Sequence, residues 1–320
     1  MDTISPDERI PPSALNCFLT VAGVALHAFF LWGASHFEGI LPFLGCMIGF
    51  MAVNNMLFSL VHEAVHGMLS SRRWVNEVFG QLAAMSFPTG LRFQRTCHIG
   101  HHLHNRTDHE IFDMYYPTDN LFLKRFQFYG ILTGPYWASV SLGWLLYLFL
   151  PWSYRMFTLP MFQKERSTDA VMFLPFLDHP AKYRIRFELL MTIVFQVTLW
   201  HVLDLSFWPT LACFWAFGMA WGSLQYADHA WTERDIRKGA WNLKVSPVVR
   251  WIFLNYHYHQ VHHLHPRLPW IRLHKHVDPK APQPSFWKIY IEMWKGPKPV
   301  NSPPPAAISE AFRQAELADT

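Results

Sequence analysis

Three short stretches of this chain concentrate histidine at spacings that a helix brings together. They are His62-Glu63-Ala64-Val65-His66, His98-Ile99-Gly100-His101-His102 and His259-Gln260-Val261-His262-His263. Residues at i, i+3 and i+4 share one helical face, and neutral imidazole is a ligand for zinc, copper, iron or nickel. Taken alone, the first stretch matches HExxH, the zinc metalloprotease signature, through His62, Glu63 and His66. A catalytic zinc needs only three protein ligands and an open position. Eight imidazoles in three clusters suit two metal ions better than one. A nitrogen-rich set without thiolate points to a pair of irons able to activate oxygen. His229 is a ninth ligand candidate, and Gln225, one turn earlier, is placed to hold a water near the metals. Ligating histidines need a partner on the second ring nitrogen. Glu63, Asp108, Glu110, Asp113, Asp228 and Asn255 lie close enough in sequence to supply one.

Something must carry these clusters, and composition says what. The 320 residues are 51% hydrophobic and only 16% charged, well under the quarter or so of charged residues in soluble domains. Fifteen Trp and 27 Phe fit an integral membrane protein with interfacial aromatic belts. A mean hydropathy of only +0.06 requires a polar part of comparable size. Cys17, Cys46, Cys97 and Cys213 are scattered without CxxC spacing, and Cys97 beside His98 suits a reducing compartment. The net charge of +4 is too diffuse for nucleic-acid binding. Residues 1–12 are polar, with no pattern of a cleavable signal.

Four stretches are apolar and long enough to cross a hydrocarbon core of about 30 Å, at about 13–37, 41–61, 187–204 and 206–227. They read as two helical hairpins. The segments 67–128 and 151–186 carry an excess of Lys and Arg, which puts both on the cytoplasmic side. The apolar stretch 129–150 between them must then cross an even number of times. Twenty-two residues at about 1.5 Å each cannot cross twice, so this segment should be re-entrant or interfacial. Gly130, Gly134-Pro135 and Gly143 supply its breaks. Were it a full span, the third histidine cluster would face the opposite side from the first two. The expected organisation is a polar N-terminal segment 1–12, a membrane domain 13–295 and a weakly ordered, proline-rich tail 296–320. The cytosolic cap comprises 62–128, 151–186 and 228–295. His27 and His201 within spans, His36 at the end of one, and Asn54 and Asn55 in the second span are expected to bond between helices.

HEAVH, HIGHH and HQVHH, in this order, resemble the three histidine boxes of the integral-membrane fatty acid desaturase superfamily. The stretch from Ser71 to Glu77, running on to Cys97 through Asn105, looks like the link between the first two boxes in acyl-lipid desaturases. His263 through Trp270 is also similar to β-carotene ketolases and hydroxylases. The resemblance covers about residues 41–270. It implies an all-α fold, with four transmembrane helices as a stem and a cytosolic helical cap holding two irons. It maps ligand roles onto His62, His66, His98, His101, His102, His229, His259, His262 and His263. Stearoyl-CoA desaturases have an asparagine where Gln225 stands here. No haem-binding cytochrome domain is present, so electrons should come from a separate ferredoxin or cytochrome with its reductase.

The expected activity is O2-dependent oxidation of C–H bonds in a fatty acyl or free fatty acid chain, foremost desaturation. Hydroxylation, ketone formation on carotenoids and decarboxylation to terminal alkenes are alternatives on the same scaffold. The zinc protease and a metal transporter are rivals of other classes, but a transporter would place its histidines inside the spans. Trp74, Phe87, Phe93, Tyr226 and Trp231 are candidates to line a lipid channel.

Overall fold

The structure is a computed structural model of the chain and describes residues 4–158, 174, 179–306, 308, 309 and 311. It is mostly helical, as the sequence predicts. Helix α1 runs over Ser13–His36 and α2 over Ile40–Val65. Next come α3, Arg73–Ser86, and α4, Leu91–His104. A two-residue strand β1, Met114–Tyr115, precedes α5, Leu121–Thr133, and α6, Pro135–Phe149. Two long helices follow: α7, Ala181–Val202, and α8, Phe207–Ala227. The remainder holds α9, Pro247–Ile252; α10, His259–Leu264; α11, Phe286–Met293; and β2, Lys298–Pro299. The chain divides into two compact units. The first comprises Met1–Gly100 and Ala138–Phe217, the second His101–Trp137 and Gly218–Thr320.

Among the described residues, three helices are long and apolar enough to cross a membrane. They cover Pro6–His36, Ile40–Val65 and Ala181–Val202. The fourth expected span is helical as α8, 21 residues long, but its Trp208, Trp215, Trp221 and Gln225 dilute its apolar character.

In the first unit α1 and α2 pack face to face. A side chain at Gly49 would meet the ring of Phe30 at 2.4 Å, so the missing Cβ is what lets the helices approach. His27 Nδ1 and Asn54 Oδ1 join across this pair at 2.8 Å, and His36 reaches the Leu203 carbonyl at 2.9 Å. Asn55 differs from expectation. It donates to Met51 O at 2.8 Å, satisfying a carbonyl one turn back on its own helix. Phe18, Leu41 and Val194 project apolar side chains outward, each more than half exposed, as lipid-facing residues do.

The segment 129–150 breaks at one of its three expected points. Gly134 takes the left-handed conformation at φ 102° and donates to Gly130 O, which ends α5. Pro135 then opens α6 with its φ already suited to a first turn. Gly130 and Gly143 stay inside helices. The pieces are 13 and 15 residues long, each shorter than a single crossing needs.

The second unit is built on Phe128, Ile131, Leu132, Tyr226, Trp231, Trp241 and Ile289. The expected tail starts as placed chain. β2 pairs in parallel with β1, Lys298 N donates to Asp113 O at 2.9 Å, and Ile308 is buried. Residues 312–320 lie outside the described residues.

Candidate metal centre

α2 extends past the expected end of its span, so His62 lies in its last turn and His66 caps it. Two side chains from neighbouring helices fix that end. Arg95, on α4, donates to Ala64 O at 3.0 Å and Val65 O at 3.1 Å. Asn76, on α3, donates to Ala64 O at 3.0 Å. A guanidinium on the last carbonyls of a helix satisfies unpaired acceptors and meets the negative end of the dipole. One turn beyond Arg95 stands His98. Its ring centroid lies 4.5 Å from that of His62 and 4.9 Å from that of His66. The ligand atoms of these three residues lie within 4.8 Å of one another. Glu63, between the first two, is buried.

In the second unit His101, His229, His259 and His263 form a group whose ligand atoms also lie within 4.8 Å of one another. The last residues of α4 supply His101 and His102, the turn after α8 supplies His229, and α10 presents His259, His262 and His263. His101 Nε2 faces His263 Nε2 at 3.2 Å, and His102 Nε2 faces His262 Nε2 at 3.0 Å.

The proton positions follow from the outer partners. His101 Nδ1 donates to Glu110 Oε2 at 2.7 Å, and His229 Nδ1 donates to Gly239 O at 2.8 Å. With Nδ1 so engaged, each ring points its Nε2 inward, the arrangement that orients metal-bound histidine. His263 Nδ1 is buried without a hydrogen-bond partner among the described residues. Burial first, then the neighbouring His101, holds His229 well below the ordinary value of 6.5. Burial and the surrounding histidines do the same to His263. Both shifts favour the neutral ring, the form that offers a lone pair to a cation. The donor set fits a metal in both units.

The other expected residues divide. Glu110 takes the role of histidine partner. Asp108 instead pairs with Arg234 at 2.6 Å and accepts from Tyr116 Oη at 3.0 Å, with its side chain two-thirds exposed. Asn255 has both ends engaged elsewhere, accepting from Arg250 and donating to Trp270 O. The Asp228 carboxylate is fully buried with neither oxygen hydrogen-bonded among the described residues. Gln225 Oε1 accepts from Tyr256 Oη, whose ring centroid lies 4.8 Å from that of His259. Of the aromatics expected to line a channel, Phe93 packs in a core with Trp144 and Tyr147. Phe87 stacks edge-on with Phe217, Tyr226 and Trp231 are core of the second unit, and Trp74 is exposed.

Sequence reasoning missed the Gly239 carbonyl, which no side-chain pattern can reveal, and the pairing of Arg106 with Asp113. Charged residues are scarce in this chain, and that scarcity was the available signal for the pair.

A family model described as fatty acid desaturase matches residues 38–289. The chain belongs to the fatty acid desaturase family. No curated protein is significantly similar to it. Membership makes the chain an oxidoreductase, with its histidine clusters compatible with histidine boxes that hold metal.

Proposed function

We propose that this desaturase-family chain is an O2-dependent non-haem di-iron enzyme acting on the C–H bonds of a fatty acyl or free fatty acid chain, as a desaturase. The carrying observation is the convergence of His62, His66 and His98 in the first unit and of His101, His229, His259 and His263 in the second. His62, His66 and His98 hold iron in the first unit. His101, His229, His259 and His263 hold it in the second, and His102 with His262 completes the set. Two irons, when bound, would supply from O2 an oxidant strong enough for an unactivated C–H bond.

The chain's own residues do the rest. Glu110 and the Gly239 carbonyl hold protons on His101 Nδ1 and His229 Nδ1, so each imidazole presents its Nε2 lone pair. Buried Tyr256 packs its ring 4.8 Å from that of His259 and shields it from water. Removing two hydrogens from a carbon chain while reducing O2 to two waters consumes two further electrons and two protons. A separate ferredoxin or cytochrome, with its reductase, supplies the electrons. The enzyme is an integral membrane protein with α8 as a fourth span, 129–150 in the interface, and the histidines and both termini on the cytoplasmic side. Its substrate then reaches the irons from the bilayer.

Metal analysis of the purified protein, with mass spectrometry of lipids and hydrocarbons in expressing cells, tests this reading. Iron near two per chain and new double bonds are expected. His101→Ala and His262→Ala should lose both iron and product. Zinc in place of iron, or product from either variant, would refute it. Terminal alkenes, hydroxylated lipids or ketones would move the reaction to another on the scaffold.

A further inference from the structure

The two residues after α4 are spent inward. Arg106 has no place on the surface, with its side chain fully buried, and its backbone is left-handed at φ 58°. Its guanidinium donates to both oxygens of Asp113, at 2.7 and 3.1 Å, and to Thr232 O at 3.1 Å. Asp113, itself fully buried, accepts two more bonds, from Tyr226 Oη at 2.6 Å and from Trp231 N. Asp113 N donates back to Tyr226 Oη at 2.8 Å. Trp231 is left-handed too, at φ 55°. A non-glycine residue keeps such a conformation only where surrounding bonds over-determine it.

The partners bracket one residue. Tyr226 lies three positions before His229, Trp231 and Thr232 two and three after it, and Thr232 Oγ1 donates to His229 O at 2.8 Å. A second grip comes from Asn105, whose Nδ2 donates to Ile236 O and Gly239 O, both at 3.1 Å. Gly239 O is the same carbonyl that receives the Nδ1 proton of His229. Asn105 and Arg106 follow directly on the helix end that carries His101 and His102.

We infer that Asn105, Arg106, Asp113 and Tyr226 form a positioning network that fixes the place and tautomer of His229 relative to His101, and so sets the metal affinity of the second-unit site. The inference rests on the proposed metal role of that site. The carboxylate of Asp113 is a fixed point to which the chain before and after His229 and the chain after α4 are all tied. β2 holds Asp113 from behind through Lys298 N. None of the four need touch metal or substrate.

The test is Co2+ titration of the metal-free, full-length protein in detergent, read by ligand-field absorption. His229→Ala should abolish tight binding of one Co2+. Tyr226→Phe and Asn105→Ala should each weaken that Co2+ by about 10- to 100-fold, the range for residues that orient ligands, and alter its absorption. Tyr129→Phe, which removes a hydroxyl bonded at 3.3 Å to Trp294 O in the same unit, should bind as wild type does. Wild-type affinity in both Tyr226→Phe and Asn105→Ala, with loss in His229→Ala, overturns the inference. So does equal weakening in Tyr226→Phe and Tyr129→Phe, which would mean a merely structural role. Wild-type binding by His229→Ala overturns the metal reading instead. Asp113→Asn serves as a further variant only where its thermal transition stays close to wild type.

Discussion

Arg95 is where the first histidine pair is most open to attack without touching a histidine. Replacing it with alanine removes four hydrogen bonds: two to the end of α2 and two to Glu77, at 3.1 and 2.7 Å. Not all of these are lost to the partners. Ala64 O keeps Asn76, and Glu77 keeps Arg92 at 3.2 Å. Val65 O loses its side-chain donor, and a buried acceptor left unsatisfied costs about 1–3 kcal/mol. Both ends of the Arg95–Glu77 pair are about a quarter exposed, so solvent screening holds its worth to roughly 0.2–1 kcal/mol. The sum, about 1–4 kcal/mol, corresponds to a drop of roughly 2–16 °C in the thermal transition. A functional effect should accompany the stability effect, because the freed helix end carries His62 and His66 while Arg95 sits one turn from His98. Metal affinity of the first-unit histidines should fall about 10-fold or more. Thermal unfolding in detergent and competition with a metal chelator measure the two effects separately. Arg95→Lys keeps the charge but not the planar fork that reaches two carbonyls and a carboxylate together, so it should recover only a minor part of either loss. An Arg95→Ala protein with wild-type metal affinity would refute the claim that this helix end is pinned for the histidines.

Two further outcomes follow from charge and topology. In the metal-free protein His229 and His263 have their protonation pushed well below 6.5. A depressed group contributes its full stability above its unfolded value and loses it as pH falls toward the folded one. The metal-free protein should therefore lose stability as pH drops below about 6.5. Added metal, which competes with protons for the same lone pairs, should shift that loss to lower pH; thermal melts at several pH values, with and without metal, measure this. Single cysteines introduced at Arg155 and Lys182 should react with a membrane-impermeant thiol reagent only after the cytoplasmic side is opened. Labelling from outside intact cells would mean that α5 and α6 cross the bilayer.

How much of this was legible in the sequence depends on the kind of bond involved. Period and type sufficed for the histidines, because i, i+3 and i+4 on a helix fix a shared face whatever the helix packs against. Nine imidazoles could be picked out before any fold was known. Length and apolarity sufficed for α1, α2 and α7, while α8 is helical where expected but less apolar than those three. The break at Gly134 was legible for a stated physical reason, Gly followed by Pro, but the same reasoning also named Gly130 and Gly143, which the helices absorb. What stayed hidden were the particular backbone atoms and charged partners that hold the ligands in place. His229 is held by a carbonyl ten residues away, and no alphabet of side chains encodes that. Asp108 and Glu110 were equally plausible partners from their positions two residues apart, and the left-handed turn at Arg106 decides between them. It sends Arg106 inward to Asp113 while Arg234 captures Asp108 at the surface, leaving Glu110 for His101. The sequence thus names the ligands of a metal site more readily than the residues that aim them, and the aiming residues are where variants should separate affinity from fold.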